Sequence, residues 1–216
     1  MKREENAIQQ NTATQPLFYA PLTGSIIASI AHNSDTSVYS SSVNSITSEG
    51  LYLSAGGHGV IWNCSVPTGI NLTFSCWVKR TGGSGVNYSF GAATKNNARY
   101  YGLQLSQYNN YWLMQEYLYF CYVSSNYPTV SNSYVFITWT IIYNGNNNYT
   151  VKFYKNGVLV TTNTFTNNQW LGMTNCYFSI SHFTNSMYAY YKHFSCYNEM
   201  TDSEVLSLYQ RGGIPE

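Results

Sequence analysis

The sequence YTVKFYKNGVLVTT, residues 149–162, predicts a β-hairpin and thereby the fold class. The type I′ turn of a two-residue hairpin needs positive φ at both central residues, which Asn tolerates and Gly adopts without steric cost. Asn156 and Gly157 therefore mark the turn. Apolar and polar residues alternate on either side of it, as they do in half-buried strands. The expected buried face consists of Val151, Phe153, Val158 and Val160.

Short segments typical of β-strands recur on both sides of this hairpin, with turn-forming residues between them. The candidate strands are residues 17–20, 50–53, 59–62, 72–79, 87–92, 101–106, 112–123, 135–143, 177–182 and 188–197. Many short strands without long helical periods favour two antiparallel sheets packed face to face. We therefore predict an all-β fold, an antiparallel two-sheet jelly-roll β-sandwich.

One short helix is predicted at the C-terminal end of the chain. Thr201 and Glu204 fit the Ser/Thr-x-x-Glu capping box, and the apolar residues Val205 and Leu208 follow at helical spacing. Gly212 marks the end of the helix because glycine adopts the left-handed conformation that follows many helices. We expect this helix to close one open end of the sandwich.

The length of 216 residues suits one domain with a substantial core, which we place at residues 16–216. Residues 1–15 are polar, lack hydrophobic periodicity and hold the densest charge in the chain. They are predicted to form a flexible arm that serves anchoring or oligomerisation.

Charge and hydropathy exclude two classes of partner. Charged residues make up 9% of the chain and the net charge is +1, so there is no basic surface for nucleic acid. No apolar run approaches the roughly 20 residues that span a bilayer, so we expect no membrane insertion. The N-terminal residues lack the apolar core of a signal peptide, and we expect synthesis in the cytoplasm.

The cysteines do not form a recognisable metal or disulfide pattern. They are Cys64, Cys76, Cys121, Cys176 and Cys196. Their wide spacing predicts buried, unpaired thiols, with a bridge between Cys176 and Cys196 as the alternative. We predict no cofactor and no bound metal. Calcium is the open alternative, and its candidate ligand is Asp35 in the loop HNSDTS, which equally suits a solvated turn.

Six landmarks follow one another in a fixed order along the chain. They are LFYAPL at 17–22, LTFSCWVK at 72–79, ITWTIIYNG at 137–145, YKNG at 154–157, FSCYN at 194–198 and TDSEVLSLY at 201–209. Together they resemble the laminin G-like branch of the concanavalin A-like lectin/glucanase superfamily. Phe136 stands where this family often has Trp, and Lys192 and His193 replace acidic residues of its last strand.

The resemblance implies two packed antiparallel sheets, with ligands bound at the sheet rim or in loops. Domains of this family bind glycans or proteins, and similar modules occur in viral fibre and capsid proteins. These implications are analogies, because one fold serves many functions.

The sequence lacks the residues expected of a glycosidase. Glucanases of this superfamily carry a Glu-x-Asp-x-(x)-Glu strand, because retaining hydrolysis needs two carboxylates about 5 Å apart. The chain has two aspartates, Asp35 and Asp202, and neither lies in that pattern. Glu199, Asp202 and Glu204 form an acidic cluster, which we interpret as acids at a helix N-terminus. We therefore predict that the protein is not an enzyme.

Loops rich in Tyr, Asn and Trp are the candidate binding sites, because lectins combine an aromatic platform with amide hydrogen-bond partners. The candidate residues are Tyr108, Asn109, Asn110, Tyr111, Trp112, Asn144, Asn146 and Trp170. The alternative is that these Asn-rich segments are ordinary turns and that the tryptophans cover the edges of the core.

The leading functional hypothesis is a recognition module that binds a glycan or host receptor on a viral fibre or capsid surface. Its partners would then include other virion or capsid subunits, and the arm could support a homotrimer. The protein would lie at the virion surface if it is viral, and otherwise in the cytoplasm. The alternatives are a structural capsid or assembly protein without sugar binding and, third, a carbohydrate-active enzyme.

Overall fold

The computed structural model describes residues 15–54, 58–82, 88–94, 100–106, 111–116, 119–124, 132–166, 175–182 and 188–216. The predicted arm at 1–15 lies outside this part of the chain except for its last residue. The strands are β1 (Phe18–Ala20), β2 (Ile30–Ala31), β3 (Val38–Ser42), β4 (Ser45–Thr47), β5 (Gly50–Leu53), β6 (Gly59–Ser65), β7 (Leu72–Gly82), β8 (Tyr88–Thr94), β9 (Tyr100–Ser106), β10 (Tyr111–Glu116), β11 (Tyr119–Ser124), β12 (Val135–Gly145), β13 (Asn148–Lys155), β14 (Val158–Thr166), β15 (Cys176–His182) and β16 (Tyr188–Asn198). The described helix is α1 (Asp202–Gln210).

The strands form two antiparallel sheets. The nine-stranded sheet has the order β14-β13-β12-β7-β16-β1-β2, and β5, which also pairs with β4, lies beside the other end of β16. The seven-stranded sheet has the order β11-β10-β9-β8-β15-β6-β3. This arrangement confirms the predicted all-β sandwich.

The main core lies between the two sheets and is built from aromatic rings. Phe18 of the nine-stranded sheet stacks on Phe178 of the other sheet, with ring centroids 4.5 Å apart, and meets Trp62 edge-on at 5.1 Å. Phe74 and Trp139 stack at 4.3 Å within the same core. Burying such large side chains is the dominant favourable contribution to the stability of the sandwich.

The predicted hairpin is present as β13 and β14. Its turn residues Asn156 and Gly157 have φ values of 51° and 77°, as a type I′ turn requires. Val151 and Phe153 are fully buried, as predicted. The prediction was wrong for Val158, which is 63% exposed. Val158 pairs with Lys155 at the end of the hairpin next to the turn, and a register shift follows between Phe153 and Tyr154.

Helix α1 covers the outer face of the nine-stranded sheet. The prediction that it closes an open end of the sandwich was wrong. A second apolar cluster lies beneath it and contains Phe136, Tyr154, Tyr197, Met200, Val205 and Leu208. Strands β12, β13 and β16 therefore bury residues on both faces, because Phe136, Tyr154 and Tyr197 each lie next to a residue of the main core. Trp77 is partly buried and also packs against this second cluster.

The acidic residues near the helix have structural partners. The predicted capping box is present, with the Thr201 N–H donating to Glu204 Oε2 at 2.7 Å and the Glu204 N–H donating to Thr201 Oγ1 at 3.3 Å. Asp202 Oδ1 accepts from Tyr154 Oη at 2.9 Å and Lys152 Nζ at 3.1 Å, and these hydrogen bonds lower the pKa of Asp202. These contacts support the interpretation of the cluster as acids that stabilise the helix N-terminus.

Three further sequence predictions are refined. The single strand predicted at 112–123 is two paired strands, β10 and β11. Strands β2, β3 and β4 were not predicted, because each is short and its side chains are mostly exposed or half-buried. Among the described residues Cys64, Cys76 and Cys196 are buried thiols, and the alternative bridge between Cys176 and Cys196 is not formed.

A bulge in β16 bends the strand at His193. The register against β7 shifts between Lys192 and Ser195, and His193 has a φ of 52°. The His193 N–H donates to the backbone oxygen of Pro21 at 2.9 Å, and Nδ1 shares a hydrogen bond of 2.8 Å with Tyr19 Oη. The bulge separates the part of β16 that pairs with β1 from the part that pairs with β5.

This bulge predicts a pH dependence of stability. Burial, and to a lesser extent the charge of Lys192, lowers the pKa of His193, so the folded protein holds this imidazole neutral. Below about pH 6.5 the unfolded chain binds a proton that the folded protein does not. The free energy of unfolding is therefore expected to fall as the pH drops from about 6.5 through the lowered pKa of the folded state. Urea denaturation at pH 7.5 and 5.5 measures the change.

The control is His193→Asn, because asparagine tolerates positive φ and does not titrate. The fall in stability between these pH values should be smaller in this variant than in the wild-type protein. Equal falls in both proteins would contradict the assignment to His193.

Candidate functional site

A group of half-buried side chains lies on the outer face of the nine-stranded sheet, beyond the region that helix α1 covers. On β7 the Trp77 Nε1 donates to the backbone oxygen of Gly212 at 2.7 Å, and Lys79 is the next residue on the same face. Lys79 pairs with Tyr190 of β16, and Tyr190 pairs with Tyr52 of β5. We call this surface the tyrosine–lysine cluster, and it consists of Tyr52, Tyr134, Tyr190, Lys79, Lys192 and Glu49.

The strand alternation positions these residues. Leu51 and Leu53 flank Tyr52 and lie in the main core, as do Ala189 and Tyr191 on either side of Tyr190. Because successive side chains of a strand point to opposite faces, Tyr52 and Tyr190 face outward. Core packing on one face thus fixes the positions of the tyrosines on the other.

Aromatic contacts make the cluster a defined surface. The rings of Tyr52 and Tyr190 stack with centroids 4.6 Å apart and an interplanar angle of 30°. Both side chains are half-buried, so part of each ring faces solvent. Tyr188 is 40% exposed and continues the tyrosine surface, with its ring packed close to Gly82. Such rings offer a large contact area with few rotatable bonds.

Two lysine ammonium groups lie over the rings of Tyr134 and Tyr190. Lys79 Nζ is 4.5 Å from the centroid of the Tyr190 ring and 4.9 Å from that of Tyr134. Lys192 Nζ is 4.0 Å from the centroid of the Tyr134 ring. Cation–π attraction holds a charge over an aromatic face and restricts a side chain that is otherwise flexible. The two charges are therefore held near one ring.

One carboxylate completes the cluster. Glu49 Oε2 is 2.9 Å from Lys79 Nζ, and this hydrogen bond, together with the charge of Lys79, lowers the pKa of Glu49. The Tyr134 hydroxyl donates to the backbone oxygen of Glu49. Burial raises the pKa of both Tyr52 and Tyr134, so their hydroxyl groups stay protonated at neutral pH.

This combination suits binding better than catalysis. Aromatic faces pack against the C–H faces of sugars, while ammonium, carboxylate and phenol groups exchange hydrogen bonds with hydroxyl groups. Glu49 is the one carboxylate in the cluster, whereas glycoside hydrolysis normally uses two. Among the described residues, no group of three or more His, Cys, Asp or Glu could hold a metal ion.

The residues predicted from the sequence belong to other segments of the chain than those that form the tyrosine–lysine cluster. Tyr108, Asn109, Asn110 and Trp170 fall outside the described residues. Tyr111 and Trp112 begin β10, which lies next to the last strand of the seven-stranded sheet.

Asn144 and Asn146 lie at the turn between β12 and β13, and both are exposed. Asn146 has a φ of 51° and shapes the turn. Asn144 Nδ2 donates to Thr150 Oγ1 at 2.8 Å. Nearby, Tyr143 is 40% exposed and its ring centroid is 5.1 Å from that of Tyr149. This turn offers one exposed ring and two amides, a smaller surface than the tyrosine–lysine cluster.

The described part of the chain contains no helix with the length and apolarity needed to cross a membrane. No protein-family model matches the sequence. A comparison with curated proteins also finds no match.

Solved structures with a similar fold include sugar-bound and receptor-binding domains. Domain 4 of an extracellular arabinanase from Geobacillus stearothermophilus, determined in complex with arabinotriose, matches with a TM-score of 0.65 and 14% identity. The match covers 92% of this chain and 100% of that domain. The binding domain of botulinum neurotoxin serotype D matches with a TM-score of 0.63 and 14% identity, over 91% of this chain and 52% of that one.

The binding domain of botulinum neurotoxin DC, determined in complex with rat synaptotagmin II, matches with a TM-score of 0.60 and 13% identity. The match covers 91% of this chain and 51% of that domain. This chain thus spans about half the length of the neurotoxin domains that it matches. At these identities the comparisons show a shared fold, a β-sandwich found in carbohydrate-binding and receptor-binding domains.

Proposed function

We propose that this chain is a non-enzymatic recognition module that binds a glycan through the tyrosine–lysine cluster. The observation that carries the proposal is the stacked, solvent-facing pair Tyr52 and Tyr190, with charged groups held beside it. The bound arabinotriose and the receptor complex of the fold neighbours support a binding role for this kind of sandwich.

The chemistry of the cluster favours a sugar as the ligand. A saccharide presents an apolar C–H face and a rim of hydroxyl groups, and the cluster presents aromatic rings and a rim of donors and acceptors. Because the rings and ammonium groups are already in contact, they lose little conformational freedom on binding. A protein receptor is the alternative ligand, since tyrosines also serve protein recognition.

The absence of catalysis is part of the proposal. Cleavage of a glycosidic bond needs an acid and a nucleophile or base on either side of that bond. Glu49 has no second carboxylate beside it in the cluster, and its lowered pKa disfavours the role of general acid.

Replacing either tyrosine of the stacked pair by alanine is expected to weaken glycan binding. Tyr190→Ala and Tyr52→Ala each remove an aromatic face from the centre of the surface, and such central residues dominate binding energies. We expect a loss of about tenfold in affinity, which corresponds to about 1.4 kcal/mol. A glycan array identifies the ligand, and calorimetry then gives the dissociation constants.

The matched control is Tyr143→Ala, which removes a tyrosine that is 40% exposed near the end of β12, away from the cluster. The sequence-predicted residues remain proposed contacts, and Trp112→Ala and Trp170→Ala test them in the same assay. The placement of the site on the tyrosine–lysine cluster is refuted if both cluster variants bind glycan normally while a tryptophan variant does not.

The biological setting is a finer part of the same proposal. We propose that the module resembles laminin G-like domains and acts at the surface of a virion, as part of a fibre or capsid. The motivation is the order of sequence landmarks and the polar residues 1–15, which would anchor it or form a homotrimer. Sedimentation of the full chain and of a chain without these residues tests the oligomerisation role.

Assembly without sugar binding is the second candidate function. Val158, Leu159 and Leu206 are 63%, 39% and 39% exposed, and Leu206 lies close to the hairpin turn. Exposed apolar side chains that lie together mark a surface for protein contact. An assembly protein would be inert on glycan arrays and would copurify stoichiometrically with particles.

A further inference from the structure

The tyrosine–lysine cluster holds more positive than negative charge. Lys79 and Lys192 contribute two ammonium groups, and Glu49 contributes one carboxylate. The chain as a whole has a net charge of +1 with 9% charged residues, so two lysines beside one aromatic ring are a local concentration of charge. A bound group with one negative charge would balance the cluster.

Lys192 is the cation that a ligand can engage. Lys79 is paired with Glu49, and its side chain is 17% exposed. Lys192 Nζ lies over the ring of Tyr134, at 4.0 Å from its centroid, and its charge contributes to the lowered pKa of Glu49 without forming an ion pair with it. Two other carboxylates form ion pairs elsewhere, Asp202 with Lys152 and Glu216 with Arg211. Within the described part of the chain, no carboxylate lies within ion-pair distance of Lys192.

The surroundings of Lys192 favour capture of an anion. Its backbone lies next to the His193 bulge, which fixes the end of the strand segment that carries it. The Tyr134 ring under the ammonium group is half-buried and offers no negative charge. An ammonium group that is held over an uncharged ring and has no ion-pair partner is placed to form a charge-assisted hydrogen bond with an anion.

We infer that the ligand is an acidic saccharide whose carboxylate or sulfate binds Lys192 while its ring packs on Tyr52 and Tyr190. This inference rests on the proposed function and names the class of glycan. The shared chemistry is one anionic substituent on a sugar. A neutral glycan would contact the same rings but would leave the charge of the cluster unbalanced.

The test compares sugars that differ in one acidic group. Lactose is paired with sialyllactose for a carboxylate, and N-acetylglucosamine is paired with its 6-sulfate for a sulfate. We expect the acidic member of at least one pair to bind the wild-type protein about tenfold more tightly than the neutral member. Its affinity should fall as sodium chloride is raised from 0.05 to 0.5 M, while that of the neutral member stays constant.

The variant Lys192→Gln should remove this preference, and Lys192→Arg should retain it. Lys155→Gln is the matched control, because it makes the same change in net charge at a half-buried lysine near the hairpin turn. The inference is overturned if acidic and neutral members bind alike, or if Lys155→Gln weakens acidic sugars as much as Lys192→Gln. Preferential binding of the acidic sugar that survives Lys192→Gln also overturns it.

The inference and the proposed function fail in different ways. Equal binding of neutral and acidic sugars, abolished in Tyr190→Ala, would overturn the inference and leave the proposed function in place. An absence of binding to every sugar of the array would overturn both.

Discussion

The Leu208→Ala variant is expected to have a free energy of unfolding about 2–5 kcal/mol lower than that of the wild-type protein. Leu208 is a fully buried residue of helix α1 and lies in the cluster that contains Phe136, Tyr154 and Tyr197. A helix of nine residues is not stable alone, so its packing against the sheet must hold it. Removing most of the Leu208 side chain leaves a cavity between the helix and the sheet. Chemical denaturation measures the loss.

Leu206→Ala is the matched control, because it makes the same chemical change on the same helix at a residue that is 39% exposed. Its free energy of unfolding should change by less than about 1 kcal/mol. Similar losses in both variants would mean that helix propensity, and not burial against the sheet, sets the contribution of these leucines.

The sequence was sufficient for those parts of the fold that depend on local chemistry. The turn at Asn156 and Gly157 needs two positive φ values, and few residue pairs supply them. The capping box of Thr201 and Glu204 likewise involves groups three residues apart. Such features form from neighbouring residues, so their signals are visible without tertiary structure.

Features that depend on partners distant in sequence were predicted less well. Helix α1 was placed at an end of the sandwich, although it covers a sheet face. The strand segment ITWTI, residues 137–141, alternates apolar residues of the main core with threonines, which share a face with Phe136 of the cluster beneath the helix. Thr138 and Thr140 are fully buried on that face, which indicates a strand covered on both sides. Alternation alone does not say which element covers the second face.

The candidate site could not be predicted because strand pairing assembles it. Tyr52, Lys79 and Tyr190 lie on three strands that are distant in sequence and adjacent in the sheet. Contiguous runs of Tyr, Asn and Trp occur in predicted loops, whereas Tyr52, Lys79 and Tyr190 are single positions within strands. The alternation of Tyr188, Tyr190 and Lys192 around Ala189 and Tyr191 was a usable signal of an outward aromatic face.

The outer face of the nine-stranded sheet thus combines two tasks. Helix α1 and residues 211–213 cover the part near the hairpin, where Trp77 bonds to Gly212. The remaining part, around β5 and β16, carries the tyrosine–lysine cluster. Strand β5 belongs both to the core and to the site, because Leu51 and Leu53 are buried in the main core and Tyr52 faces outward in the tyrosine–lysine cluster.

Gly50→Ala is expected to lower the free energy of unfolding by about 2–5 kcal/mol and to weaken ligand binding. Gly50 has a φ of 131°, a conformation that other residues rarely adopt. A Cβ atom at this position would lie 2.5 Å from the backbone oxygen of Tyr191 and 3.2 Å from the hydroxyl of Tyr134. The first of these atoms belongs to the paired strand β16 and cannot move without disturbing the sheet.

The same substitution tests how the site depends on the scaffold. Gly50 directly follows Glu49 and lies two residues before Tyr52. Because Gly50 has no side chain, the Tyr134 hydroxyl can approach and donate to the backbone oxygen of Glu49. Gly24→Ala is the control, because its φ is 88° and a Cβ there would meet no atom within 4 Å. The control carries the backbone strain alone, so its loss of stability should be smaller and its ligand affinity unchanged. Equal effects of the two substitutions would show that backbone strain dominates, and that close contact with Tyr191 and Tyr134 does not position the cluster.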